Sequence, residues 1–124
     1  MTIASPHMTR TTPPADALKL VHSGQRVYIG GGCGVPTALL DALVERAPAL
    51  RDVEILHILT AGDDPTTSPE LAGSFRHNAL FIGANVRRAV HESRADFTPI
   101  FLSEIPRLFR SGRLPIDVAL IQVS

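Results

Sequence analysis

The residues best placed to do chemistry are the glycines of Ile29-Gly-Gly-Gly-Cys-Gly-Val-Pro36. Four glycines between a β-branched apolar segment and an amphipathic one let backbone approach a ligand with no Cβ in the way. The N–H groups that open the following helix can then hold a carboxylate, a phosphate or a thioester oxygen. Gly31, Gly32 and Gly34 are therefore the candidate substrate-binding wall; the plainer account is a tight strand-to-helix turn. A dinucleotide fingerprint needs G-x-G-x-x-G, but Gly32-x-Gly34 is followed at the third place by Thr37, and no acid stands suitably at the end of the next strand. Cys33 lies in the same loop near a helix N-terminus, where a thiol becomes more acidic. With no histidine close in sequence, a small space-filling role describes it more simply.

The other chemistry-bearing types are weaker. His7, His22, His57, His77 and His91 show no H-x-x-x-H or other metal-ligand spacing, so no metal is assigned. There is no G-x-S-x-G. Glu104 and the pair Asp63/Asp64 fall where strand-end loops are expected, yet a first-turn acid favoured by the helix dipole and a solvated turn account for them. Between Leu71 and Arg113 stand Arg76, Arg87, Arg88, Arg94, Arg107, Arg110 and Arg113 against Glu92, Asp96 and Glu104. Guanidinium groups pair bidentately with phosphate, although solvated faces and structural ion pairs explain such an excess more plainly.

These residues need elements to position them. Ala17, Leu20 and Val21 mark a short helix over 16–22 that stops at Ser23-Gly24. Arg26 to Gly30 reads as a strand. Pro36 fits the first position of a helix whose apolar stripe is Leu39, Leu40, Leu43, Val44 and Ala47. Val53 to Leu59 is a second strand, 62–69 a loop, and Leu80-Phe81-Ile82 a short third strand. Asn85 is a good N-cap for a helix running toward Ser93, and a weaker candidate for the substrate wall because it follows the second glycine turn. Phe97 to Leu102 is a fourth strand, and Ser103 caps a helix that buries Ile105, Leu108 and Phe109. Ile116 to Val123 is a fifth strand, apolar on both faces as a covered strand should be. Strand and helix alternate, so the expected fold class is α/β, a largely parallel sheet with helices on both faces. A two-sided strand with no neighbour after it predicts an incomplete sheet belonging to a larger machine.

Composition sets the outer bounds. The 124 residues, 44% hydrophobic, suit one domain, with a core burying roughly two-thirds of the unfolded surface. Twelve basic and twelve acidic residues cancel, so no global field draws the chain to nucleic acid or to an anionic membrane. Cys33 has no partner for an intramolecular disulfide, no signal-type or spanning run is visible, and a cytoplasmic location is expected. Residues 1–14, closing in Pro13-Pro14, read as a flexible leader ahead of a domain over 15–124.

With these elements placed, the chain from about Ala17 to Ser124 resembles the N-terminal domain of the acetyl-CoA hydrolase/transferase family, the acetate and 4-hydroxybutyrate CoA-transferase type. The carriers are Gly30-Gly-Gly-Cys-Gly-Val-Pro36, Phe75-Arg-His-Asn-Ala-Leu-Phe-Ile-Gly-Ala-Asn-Val-Arg87, Ala95-Asp-Phe-Thr-Pro-Ile-Phe-Leu-Ser-Glu-Ile-Pro106 and Leu114-Pro-Ile-Asp-Val-Ala-Leu-Ile-Gln-Val-Ser124, in this order and spacing.

The resemblance implies a two-domain enzyme of α/β/α sandwiches with its site between them. It implies a ping-pong transfer of CoA between a short-chain acyl-CoA and a carboxylate such as acetate, through a glutamate nucleophile. That glutamate and most CoA contacts belong to the family's C-terminal half, which the chain from Ala17 to Ser124 is expected not to include. The expectation is thus no catalytic residue in this chain, no turnover alone, and no covalent cofactor, with coenzyme A or acyl-CoA as substrate. Expected partners are acyl-CoA, a short carboxylate, the missing C-terminal domain and, through an open sheet edge, further copies of the chain. Two other readings stay open: a non-catalytic CoA-binding or assembly module of the same fold, and a nucleotide-binding regulator.

Overall fold

The chain forms one parallel five-stranded sheet in the order β4-β3-β2-β1-β5, with β1 Arg26–Ile29, β2 Val53–His57, β3 Phe75–Ala79, β4 Ala95–Phe97 and β5 Val118–Leu120. The computed structural model describes residues 11–123. The helices are α1 Pro14–Ala17, α2 Thr37–Glu45, α3 Ala84–His91 and α4 Ile105–Arg110. The α/β class and the parallel sheet are as the sequence predicts. Of the leader, residues 1–10 and the fold of Ser124 lie outside the described residues, and Pro14 already opens α1.

Period-two alternation assigns the two faces. Val27 and Ile29 of β1, Val53 and Ile55 of β2 and Phe75 of β3 point to one face, where they pack with Leu18, Leu40 and Leu43. Farther along that face Ala79 and Ala95 meet Val86 and Ala89 of α3. Tyr28, Leu56 and Leu80 point to the opposite face, which receives Ile105, Leu108 and Phe109 of α4. Chain order explains this split. From β1 to β4 each strand is added on the same side; β5 is added on the other side of β1. With right-handed crossovers, reversing the direction sends the connecting helix to the other face.

Several elements sit elsewhere than the sequence predicts. The third strand is Phe75–Ala79, not 80–82; its polar members His77 and Asn78 are buried and hide its apolar pattern. The fourth is Ala95–Phe97 rather than 97–102. The fifth shrinks to Val118–Leu120, and it is not covered on both sides: Ala119 is exposed, and Ile121 and Val123 are 55% and 82% exposed, because β5 pairs with β1 alone among the described residues. Pro36 is the N-cap of α2, Gly83 rather than Asn85 caps α3, and Glu104 rather than Ser103 caps α4.

Candidate functional site at the strand ends

In open α/β sheets ligands bind outside the carboxyl ends of the strands where strand order reverses. Here that point lies between β1 and β5, and the glycine turn leaves β1 there. The Gly30 N–H donates to the Leu120 carbonyl oxygen at 2.9 Å, which fastens the start of the turn to the end of β5. Pro36, Thr37 and Leu39 at the start of α2 face Ile121, Gln122 and Val123 across a groove of about 310 Å³. No side chain caps α2; the Thr37 and Leu39 N–H groups donate to the Val35 and Pro36 carbonyls at 2.9 and 3.0 Å, which leaves the Ala38 N–H as the first-turn donor facing this groove.

The turn itself leans on the end of β2. The Gly32 N–H donates to the Leu59 carbonyl at 2.7 Å, and Ala61 N–H returns a bond to the Gly32 carbonyl at 3.3 Å. A Cβ on Gly31 would lie 2.6 Å from that Leu59 oxygen, closer than any side chain tolerates. Gly32 has φ +62 and open space around it, and with Cys33 it is exposed at the tip. Gly34 turns its N–H back to the Gly31 carbonyl at 3.3 Å; a Cβ there would make only an ordinary contact. Gly31 and Gly34 thus shape the turn, Gly32 pairs it to the end of β2, and Cys33 stands exposed at its tip.

Asn85, two residues past the second glycine turn, braces the same end of the sheet. Its Nδ2 donates to Thr60 Oγ1 at 2.8 Å and to the Thr60 and Gly62 carbonyls at 3.3 and 3.1 Å. Asn85 therefore ties α3 to the β2 end loop on which the glycine turn rests. Glu104 lies away from the glycine turn, lining an apolar groove beyond β3 and β4. Asp63 is exposed, but Asp64 is 8% exposed and not the solvated turn acid that the sequence predicts.

Asp64 belongs to a buried polar group that sequence reading missed. Its Oδ1 accepts from the Thr66 N–H at 2.9 Å and from Thr66 Oγ1 at 2.5 Å. Since that hydroxyl gives its proton to Asp64, it accepts from His77 Nε2–H at 2.9 Å, which fixes the His77 tautomer and leaves Nδ1 as an unpartnered acceptor. The His57 and His77 rings meet edge to face, 5.2 Å between centroids. Burial pushes His77 down to about 4, outweighing the attraction of Asp64, so at neutral pH both rings are neutral and the Asp64 contact is no ion pair. The signal was available: β2–β3 pairing puts His57 and His77 on one face, two residues apart in register.

On the other face a polar ladder crosses the strands. Arg26 bonds Glu54, whose Oε1 accepts from Asn78 Nδ2 at 3.1 Å, and Asn78 Oδ1 accepts from Thr98 Oγ1 at 2.7 Å. Arg76 grips Asp96 through two bonds of 2.6 Å. Part of the arginine excess is thus structural. Among the described residues there is no cluster of metal-ligating side chains, and no helix is long and apolar enough to cross a membrane.

A parallel α/β lobe with a glycine turn and a helix start at its switch point places the chain in the class of open parallel-sheet proteins, whose ligands gather at such points. The chain belongs to the acetyl-CoA hydrolase/transferase family, whose N-terminal domain it matches over residues 3–124. It is 43% identical over 108 residues to the 4-hydroxybutyrate coenzyme A transferase of Clostridium kluyveri, covering 87% of this chain and 25% of that protein. It is 46% identical over 103 residues to the succinyl-CoA:acetate/propanoyl-CoA:succinate CoA transferase of Fasciola hepatica, covering 82% and 21%. The crystal structure of RipA from Yersinia pestis matches at a TM-score of 0.77 and 25% identity, over 89% of this chain and 28% of that one. The chain thus spans about a quarter of the length of these relatives.

Proposed function

We propose that this chain supplies the substrate-side wall of an enzyme that moves CoA between a short-chain acyl-CoA and a carboxylate, acetate among them. The observation that carries the reading is the coincidence of the glycine turn, the uncapped start of α2 and the topological switch point. In the family chemistry a glutamate carboxylate attacks the thioester carbonyl and CoA thiolate leaves, giving an acyl-glutamyl anhydride. The thiolate then attacks the glutamyl carbonyl and expels the free carboxylate, and the reverse sequence loads the second acid. Each tetrahedral intermediate carries an oxyanion that needs preorganised donors. The Cys33 N–H at the tip of the turn and the Ala38 N–H in the first turn of α2, which donate to no backbone carbonyl among the described residues, are positioned to supply them from this lobe, and none of the described carboxylates stands in that groove to act as nucleophile.

The purified chain should accordingly show no acetate-dependent CoA exchange; appreciable exchange by it alone refutes the division of labour. Grafted in place of the matched residues of the Clostridium kluyveri relative, it should support transfer. Gly32→Val in that chimera should lower turnover by on the order of 10²-fold through misplacement of the turn. Unchanged kinetics would remove the glycine turn from the mechanism.

A further inference from the structure

Beyond the ends of β3 and β4 lies a groove of about 730 Å³ floored by Leu80, Ile82 and Ile100 and walled by Phe81, Phe97 and Phe101. Phe101 is 82% exposed, and Leu102 beside it 71%. Leaving such aromatic surface in water is unfavourable by roughly 25 cal/mol for each Å², and clustered exposure of this kind marks an interface rather than a free surface. The groove continues, through Ile100 and Glu104, into a second depression bordered by Arg107 and Arg113. Among the described residues Arg107, Arg110 and Arg113 have no ion-pair partner, unlike Arg26, Arg76, Arg88 and Arg94. An apolar trough thus runs into a basic shoulder.

Three occupants could cover it: an acyl chain, a second copy, or further polypeptide. Phe101 and Leu102 stand so far out that a small acyl group in the trough would leave them wet. A second copy would set basic shoulder near basic shoulder if the contact were two-fold. The relatives point to the third, because about three-quarters of each lies outside the region that this chain matches.

We propose that the Phe81–Phe97–Phe101 groove is the docking surface for the complementary lobe that makes up the rest of such enzymes, and that this lobe presents an apolar ridge flanked by carboxylates. The proposal rests on the CoA-transfer reading only for the identity of that lobe. The glycine turn and the groove open at the same end of the sheet, with Leu59 between them: its oxygen meets the turn, and its Cδ1 lies 2.8 Å from where a Cβ on Gly83 would stand. A lobe seated in the groove would therefore lie on the glycine turn's side of the sheet, separated from the turn by Leu59.

Hydroxyl-radical oxidation read by mass spectrometry tests this on the chain and on the chimera with the Clostridium kluyveri relative. Phe101 and Leu102 should oxidise readily in the isolated chain and be protected in the chimera, while Leu20, 53% exposed at the other end of the molecule, reacts equally in both. Equal reactivity of Phe101 in both overturns the proposal. So does protection in the isolated chain that grows with its concentration, which marks a second copy, or that appears on adding butyryl-CoA, which marks an acyl site. If the chimera does not fold, the remainder of the relative is added as a separate chain: Phe101→Asp should weaken that association about tenfold or more, Leu20→Asp should not, and no association overturns the proposal. Transfer activity with Phe101 still reactive removes the interface alone. Protection without activity removes the CoA-transfer reading alone.

Discussion

Gly31 and Gly32 are glycines for different reasons, and substitution separates them. Alanine at Gly31 drives a Cβ into the Leu59 carbonyl, 2.6 Å away, so backbone must move; we expect a loss of about 1–3 kcal/mol, as for overpacking. Alanine at Gly32 meets nothing but must hold φ +62, a cost of about 1–2 kcal/mol. Asparagine tolerates the left-handed region, so Gly32→Asn should recover much of that loss in urea unfolding while Gly31→Asn recovers none. Equal behaviour of the two asparagine variants would contradict this account. His77 gives a pH prediction. Its folded value, about 4, is below the ordinary 6.5, so between these limits the unfolded chain binds a proton that the folded one refuses, and stability falls with acidification. The full fall attributable to His77 is about 3 kcal/mol. It is absent above pH 6.5 and complete below 4. His77→Gln should flatten the stability profile in that window, and a profile as steep as the parent's would show that His77 is not the sensor.

At the scale of elements, one amide joins α3 to the loop after β2 through two carbonyls and a hydroxyl. Asn85→Ala leaves the Thr60 and Gly62 carbonyls without the donor that α3 sends them, a loss of about 1–3 kcal/mol. Amide exchange at Ala61 and Gly62 should accelerate more than at Val27; a uniform change would mean that the brace is not local. Asn85 also shows how a local reading misassigns a cap. Asparagine after a glycine looks like a cap, but Gly83 caps α3, and a contact across 25 residues has no local signature. The glycine turn and α2 were legible because strand, glycines and apolar stripe follow one another along the chain. β3 was not, since its buried side chains His77 and Asn78 are polar and find partners only in the Asp64–Thr66 loop and on neighbouring strands. The run Leu80-Phe81-Ile82 looked like a strand because it is apolar; it is apolar because it forms the floor and wall of the groove. β5 was overextended for a related reason: Ile121 and Val123 carry interior composition at an exposed edge.

Across the whole molecule the core is lopsided. Around β1 and β2 large side chains interlock, with Leu18, Leu40, Leu43, Ile29 and Ile55 essentially solvent-free. The β4 edge is held on that face by Ala79, Val86, Ala89 and Ala95, much smaller groups that bury less apolar area. A sheet built this way opens by parts, the weaker packing first. We expect the Thr98 amide, bonded to the Ala79 carbonyl at 3.0 Å, to exchange through a partial opening of α3 and β4. Tyr28 and Leu56, paired at the centre of the sheet, should exchange only by global unfolding. Two variants distinguish this from a single cooperative unit. Leu43→Ala, in the large cluster, should cost about 2–5 kcal/mol and reduce protection at Tyr28 and Leu56 by the full global amount, with little change at Thr98. Ala89→Gly should cost about 1 kcal/mol through helix propensity and appear at Thr98. If Leu43→Ala lowers protection at Thr98 as much as at Leu56, the sheet melts as one. The β4 side would then be as firm as the centre before any further lobe is seated on the Phe81–Phe97–Phe101 groove, rather than a region that such a lobe completes.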